Sequence, residues 1–236
     1  MNIFLTRGLK GEITMKAIEA TKKIVKRYSH AWVFLYAFIY MPWFLYLERR
    51  TGVDYYIIHF ADRQLYSFRR IFYSSLSIMV SIIAVTVGYF FFTDKWGFYR
   101  LCAFLFTGMT LFLLICTFFP NGLNLRPVVF ERNNIFVDLV KTLYSTDTPT
   151  NVLPSIHVFN SIGVSIAIAH SNALKKHRMV QCSAYLLAML IIMSTVFLKQ
   201  HSVTDVIAAI AMACIIYPFV YVTQEKKAPK LSHQPI

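Results

Sequence analysis

The sequence predicts an all-α membrane protein, a polytopic bundle of about six transmembrane helices preceded by a basic amphipathic helix. Three observations carry that expectation. Apolar residues make up 57% of the 236-residue chain and charged residues only 15%, with a mean hydropathy of +0.53, a balance that soluble domains do not show. The apolar residues gather into runs approaching or exceeding the roughly 20 residues that cross a bilayer as a helix. The charges fall between those runs, where water and lipid head groups solvate them.

Each element follows in order. Residues 1–30 carry Lys10, Lys16, Lys22, Lys23, Lys26 and Arg27 above a stripe of Leu9, Ile13, Ala17, Ala20 and Ile24 at helical spacing, the pattern of a helix lying on anionic lipid. Spans are expected at 31–47, 71–92, 101–119, 155–169, 179–198 and 203–222. Segment 48–70 mixes charge with Tyr55, Tyr56 and Phe60 and suits an interface. Residues 120–153 form the longest polar connection after the first span, and 170–178 a basic turn. The chain therefore divides into a basic segment (1–30), a six-span membrane domain (31–223) and a polar tail (224–236).

The formal charge of +13 invites a nucleic-acid partner, but its basic residues are dispersed between spans. Anionic membrane lipids are the expected partners, and no nucleic acid. Cys102, Cys116, Cys182 and Cys214 all lie in apolar runs, with no disulfide framework and no metal-ligand spacing. No cleavable signal peptide is visible, and the first apolar run reads as a signal anchor. With both termini inside, fifteen of the 24 Lys and Arg residues fall on the inner side, which favours cytoplasmic termini. The compact size suggests a bacterial cytoplasmic membrane. Span parity puts Arg126, His157, Lys199, His201 and Asp205 on one face, expected to be the outer one.

His201 and Asp205 are four residues apart, so on a helix the carboxylate reaches the imidazole. Such a pair fixes the ring's tautomer and stabilises its cation, as a nucleophilic or proton-transferring histidine requires. A polar interfacial turn is the competing explanation. Pro154 opens a helix without losing a hydrogen bond and leaves free N–H groups near His157, an anion site. A transporter is disfavoured because spans two to six carry almost no charge.

Pro154-Ser155-x-His157, followed by Ser194-x6-His201-x3-Asp205, resembles the second and third motifs of the type 2 phosphatidic acid phosphatase superfamily. Arg126-Pro127 resembles the end of that family's first motif, and the similarity covers about residues 120–210. Three positions depart from the pattern: Phe119 stands for a lysine, Ile156 for a glycine and Thr195 for an arginine. The departures are similar to those of the inositol phosphorylceramide synthase and sphingomyelin synthase branch. The resemblance implies a phosphohistidine on His201, discharged by water or an alcohol. Asp205 would orient that ring and His157 would protonate the leaving group. Arg126 and Ser155 would hold the phosphate; Lys199 lies off the family's motif positions and is expected, from its place two residues before His201, to take over part of the charge missing at Phe119 and Thr195, with no metal and no cofactor required. The expected function is hydrolysis of a phosphatidic acid-like or polyprenyl (pyro)phosphate lipid. The alternatives are transfer of a phosphoryl head group between lipids and an inactive scaffold of the same fold.

Overall fold

The computed structural model describes residues 15, 18–50, 52–57, 69–127 and 135–223. Residues 18–27 are helical and exposed along their length; the remainder of the expected amphipathic segment lies mostly outside the described residues. A 3-10 turn, Ser29–Leu35, feeds α1 (Tyr36–Glu48), which continues through Pro42. Helices α2 (Arg69–Thr93) and α3 (Lys95–Phe118) form a hairpin around Asp94. Asp94 Oδ1 accepts the Gly97 N–H at 2.9 Å. That cap starts α3 ahead of the expected residue 101, because one carboxylate satisfies a donor the new helix would leave unpaired.

The connection after α3 is more structured than the polar loop expected from sequence. Asn121–Gly122 (β2) pairs in parallel with Tyr55–Tyr56 (β1), Tyr55 opposite Asn121 and Tyr56 opposite Gly122. Residues 135–146 then form α4 (Ile135–Thr146). Its Val140 is buried and its Leu143 packs with Met79 and Ile191, so an apolar face at helical spacing decides the conformation. The last three helices are α5 (Ile156–His170), α6 (Arg178–Phe197) and α7 (Val203–Tyr217). A π-turn at Pro218–Val222 extends α7, where proline lacks the N–H that an α-helical turn needs.

The molecule is a membrane helical bundle. Ser29–Glu48, Lys95–Phe118, Arg178–Phe197 and Val203–Val222 are long and apolar enough to cross a bilayer, while Met79–Thr93 and Ile156–His170 are apolar but shorter. Helix α5 is the central one, packed against α2, α3, α6 and α7. Its 15 residues extend about 22 Å at 1.5 Å each, short of the roughly 30 Å hydrocarbon. His157, the second residue of this helix, is half-buried. Large apolar side chains such as Phe38, Leu186, Met189 and Ile215 are exposed, as suits surfaces that meet lipid.

Glycines let α3 and α5 approach. The Phe104 and Phe159 rings stack with centroids 4.7 Å apart and planes 6° from parallel. A Cβ at Gly108 would stand 2.0 Å from the Phe159 ring, and one at Gly163 would stand 2.8 Å from Phe104. Each aromatic lies over the other helix's glycine, which fixes the register of α5 and hence the depth of His157.

Candidate active site

Two helix starts and one helix end build the site. Helix α7 opens with a capping box: Ser202 Oγ accepts the Asp205 N–H at 3.2 Å, and Asp205 Oδ2 accepts the Ser202 N–H at 2.8 Å. Both residues are fully buried. The same Oδ2 lies 3.5 Å from His201 Nδ1. One carboxylate oxygen therefore caps the helix and faces the imidazole. At that distance the two atoms are close without a formed hydrogen bond, and catalytic contacts are often long in the resting state. An ionised carboxylate only accepts, so it keeps the ring proton on Nδ1 and leaves a lone pair on His201 Nε2.

Helix α5 opens on Ser155, whose Oγ accepts the Val158 N–H at 3.4 Å. The Ser155 N–H donates to the Asp205 carbonyl at 3.3 Å, which ties the two helix starts together. His157 is the second residue of α5, and its Nδ1 lies 3.1 Å from His201 Nε2. In the tautomer of His201 that carries its proton on Nδ1, His157 Nδ1 is the donor of this contact. The positive ends of two helix dipoles meet here and favour an anion.

The end of α6 delivers His201. The Lys199 N–H donates to Val196 O and the Gln200 N–H to Thr195 O, both at 3.0 Å, the two bonds of a Schellman turn. Lys199 occupies the left-handed position of that turn with φ 56°, where glycine or asparagine is the unstrained choice. The His201 N–H also donates to Thr195 O, at 3.1 Å. Lys199 is 5% exposed and Gln200 1% exposed, so this polar turn is folded into the bundle.

Arg126 sits in the loop ahead of α4, with its guanidinium 4.7 Å from the Tyr144 ring centre. Its Nη1 donates to Tyr144 O at 3.3 Å and to Asp147 O; its Nη2 donates to Thr148 O at 3.2 Å and forms an ion pair with Asp147 Oδ2 at 3.0 Å. Burial pulls the guanidinium below its ordinary pKa, while the Asp147 charge opposes that pull. Asp147 Oδ2 also accepts Gln200 Nε2 at 2.8 Å. The Tyr144 hydroxyl donates to Leu198 O at 2.7 Å. Residues 144–148, the end of α4 and the turn after it, are thereby stitched to the turn that carries His201. On its far side Glu48 accepts the N–H and hydroxyl of Thr148.

Of the residues expected from sequence, His157, His201, Asp205 and Ser155 come together directly. Lys199 stands on the turn two residues from His201. Arg126 reaches the same place through Asp147 and Gln200, with its Nη donors directed at the loop. Its buried Nε has no hydrogen-bond partner among the described residues. Sequence reasoning missed Asp147, Gln200 and Tyr144. Asp147 lies in a Thr/Pro-rich turn that looks like ordinary loop chemistry, and only adjacency to His201 marks Gln200. Chemically, the arrangement presents a ring-nitrogen lone pair opposite a second imidazole that holds a proton.

The family model of the PAP2 superfamily matches residues 101–229. Curated proteins and solved structures give no match to the chain.

Proposed function

We propose a function from one premise: the chain belongs to the PAP2 superfamily. That membership makes it a membrane enzyme of the phosphatase and phosphotransferase kind, acting on lipid phosphates. The finer reading is hydrolysis of a phosphatidic acid-like or polyprenyl (pyro)phosphate through a phosphohistidine. One observation carries it: His201 Nε2 faces His157 Nδ1 at 3.1 Å while Asp205 stands behind the other ring nitrogen at 3.5 Å. His201 Nε2 attacks phosphorus and the P–O bond to the lipid breaks. His157 gives its proton to the departing alkoxide. Water, relieved of a proton by the same His157, then cleaves the P–N bond and releases phosphate. Asp205 holds the cationic ring between the two steps. The helix-start N–H groups and Lys199 offset the phosphate charge.

A second reading, transfer of the phosphoryl group to a lipid alcohol, has its own support. Arg126 is already compensated by Asp147, which suits a phosphodiester head-group donor with one negative charge better than a monoester dianion. The acceptor alcohol would take the place of water in the second step. The outward-facing site and cytoplasmic termini are part of the same proposal.

One preparation tests both. Purified protein in detergent receives radiolabelled lipid phosphates, with and without a lipid alcohol. Hydrolysis yields inorganic phosphate, transfer yields a new phospholipid, and either leaves an acid-labile, base-stable phosphoenzyme on rapid quenching. His201→Ala should remove the phosphoenzyme and lower turnover by at least about 10³-fold, the loss seen when one member of a catalytic unit is deleted. Near-normal turnover in that variant would overturn the reading.

A further inference from the structure

We propose that Arg126 is a positioning residue and not a phosphate contact. With Asp147, Gln200 and Tyr144 it forms a brace that keeps His201 in line with His157. The brace rests on the phosphoryl-transfer reading for what His201 does, and it departs from the role that the motif resemblance of Arg126 implies.

A guanidinium has five N–H groups, and in Arg126 the four on Nη1 and Nη2 are taken. Nη1 donates to the carbonyls of Tyr144 and Asp147, and Nη2 to the Thr148 carbonyl and to Asp147 Oδ2. The fifth, on Nε, is buried. No pair of neighbouring donors is left to fork onto a phosphate.

Charge agrees with the donor geometry. The accepting carbonyls lie at the end of α4, the negative pole of that helix, where a cation is stabilised and an anion repelled. Asp147 adds a full negative charge beside them, 3.0 Å from Nη2. A phosphate brought to this guanidinium would face both. The starts of α5 and α7, by contrast, present positive poles to the histidines.

Two connections run from Arg126 to the turn, and they land on either side of Lys199. Asp147 Oδ2 accepts Gln200 Nε2 at 2.8 Å. The Tyr144 ring lies 4.7 Å from the guanidinium, and its hydroxyl donates to Leu198 O at 2.7 Å. Leu198 and Gln200 are both buried. Lys199 between them holds φ 56°, a conformation that costs a residue with a Cβ. Pinning both neighbours keeps the turn from relaxing, and His201 is the next residue along. Its Nε2 stands 3.1 Å from His157 Nδ1, a contact that a small shift of the turn would break.

The test compares Arg126→Gln, Asp147→Asn and Gln200→Met in the full chain in nanodiscs. Hexadecyl phosphate is the substrate, and hexadecylphosphonate, whose P–C bond resists cleavage, is the ligand. Each variant should lower kcat about 100-fold, the cost of misplacing a reacting group by about 1 Å, and leave phosphonate affinity unchanged. Arg126→Gln combined with Asp147→Asn should be no worse than either alone, because the two act as one unit. Independently of turnover, the His201 imidazole signal from isotope-labelled histidine, assigned by its loss in His201→Ala, should shift in all three variants. Asp147→Asn and Gln200→Met keep the side-chain shape and carry the test if Arg126→Gln does not fold. A phosphate contact predicts the reverse: weaker phosphonate binding in Arg126→Gln and, with the guanidinium released, faster turnover in Asp147→Asn. Either result overturns the brace. Turnover by the wild type with an unmoved His201 signal in the variants defeats the brace and leaves the reaction standing. A shifted signal and intact phosphonate binding, with no turnover by the wild type, defeats the reaction and supports the brace.

Discussion

Asp205 does two things with one oxygen, and substitutions separate them. Its Oδ2 caps α7 through Ser202 and faces His201. Asp205→Asn keeps an acceptor of the same shape but loses the charge that stabilises the imidazolium. It should retain most thermal stability in detergent while kcat falls well below wild type, though less than for His201→Ala. Asp205→Ala removes both roles and should also cost about 0.5–2 kcal/mol of stability, the loss of a helix cap. Lys199 offers a sharper contrast. Its left-handed backbone at φ 56° favours glycine, so Lys199→Gly should raise stability by about 1 kcal/mol. It should at the same time lower kcat/KM by about 100-fold, the scale of losing one preorganised charge. Lys199→Met should lose the activity without gaining the stability. If thermal melting and turnover move together in both variants, Lys199 is an anchor and not a phosphate contact.

The elements position these residues by close approach. Gly108 lets Phe159 lie against α3, and Gly163 lets Phe104 lie against α5. Gly108→Ala should therefore destabilise by about 1–3 kcal/mol through overpacking, read as a lower Tm in detergent. Pairing it with Phe159→Leu should recover part of the loss, because the two changes share one space. Helix existence was legible in the sequence because apolar runs and charge breaks are local signals. The apolar helices expected from residue 71 onward were placed within a few residues at most boundaries, and among the described residues four helices are long and apolar enough to cross a bilayer. The early start of α3 was missed because Asp94 reads as part of a charged turn until its bond to Gly97 is seen. Helix α4 was missed for a related reason. Val140 and Leu143, three residues apart, form its buried face, but Asn, Arg and Thr residues around them give the stretch a loop composition. His201 and Asp205 were legible as a pair four residues apart, and His157 entered through the resemblance of Pro154-Ser155-x-His157 to a family motif; the structure brings the two rings to 3.1 Å. The Arg126–Asp147–Gln200 chain was not, since its members come from three separate segments and carry no periodic signal.

At the scale of the whole molecule, the site occupies one end of the bundle. Helix parity puts Glu48, Arg126, Asp147, His157 and Lys199 on the same face, opposite Lys95 and Lys175. In the proposed orientation, which follows the positive-inside bias, Lys175 faces the cytoplasm. In a cysteine-free background, Lys141→Cys should react with an impermeant thiol reagent applied to intact cells, and Lys175→Cys should not. Lys141 is exposed on α4 and Lys175 is exposed beyond α5, so burial does not confound the comparison. Labelling in the reverse pattern would invert the protein in the membrane and leave the shared face of the site unchanged.

The hydrogen bond from the Ser155 N–H to the Asp205 carbonyl joins two helix starts that are far apart in the chain. Their companions, His157 on α5 and His201 just before α7, are the two rings that meet. Sliding either helix along its axis breaks this hydrogen bond and parts the imidazoles in the same motion. The site therefore has no independent looseness: its tolerance for misplacement is the tolerance of the α5–α7 seam, and anything that wedges that seam disarms the rings before it unfolds the bundle.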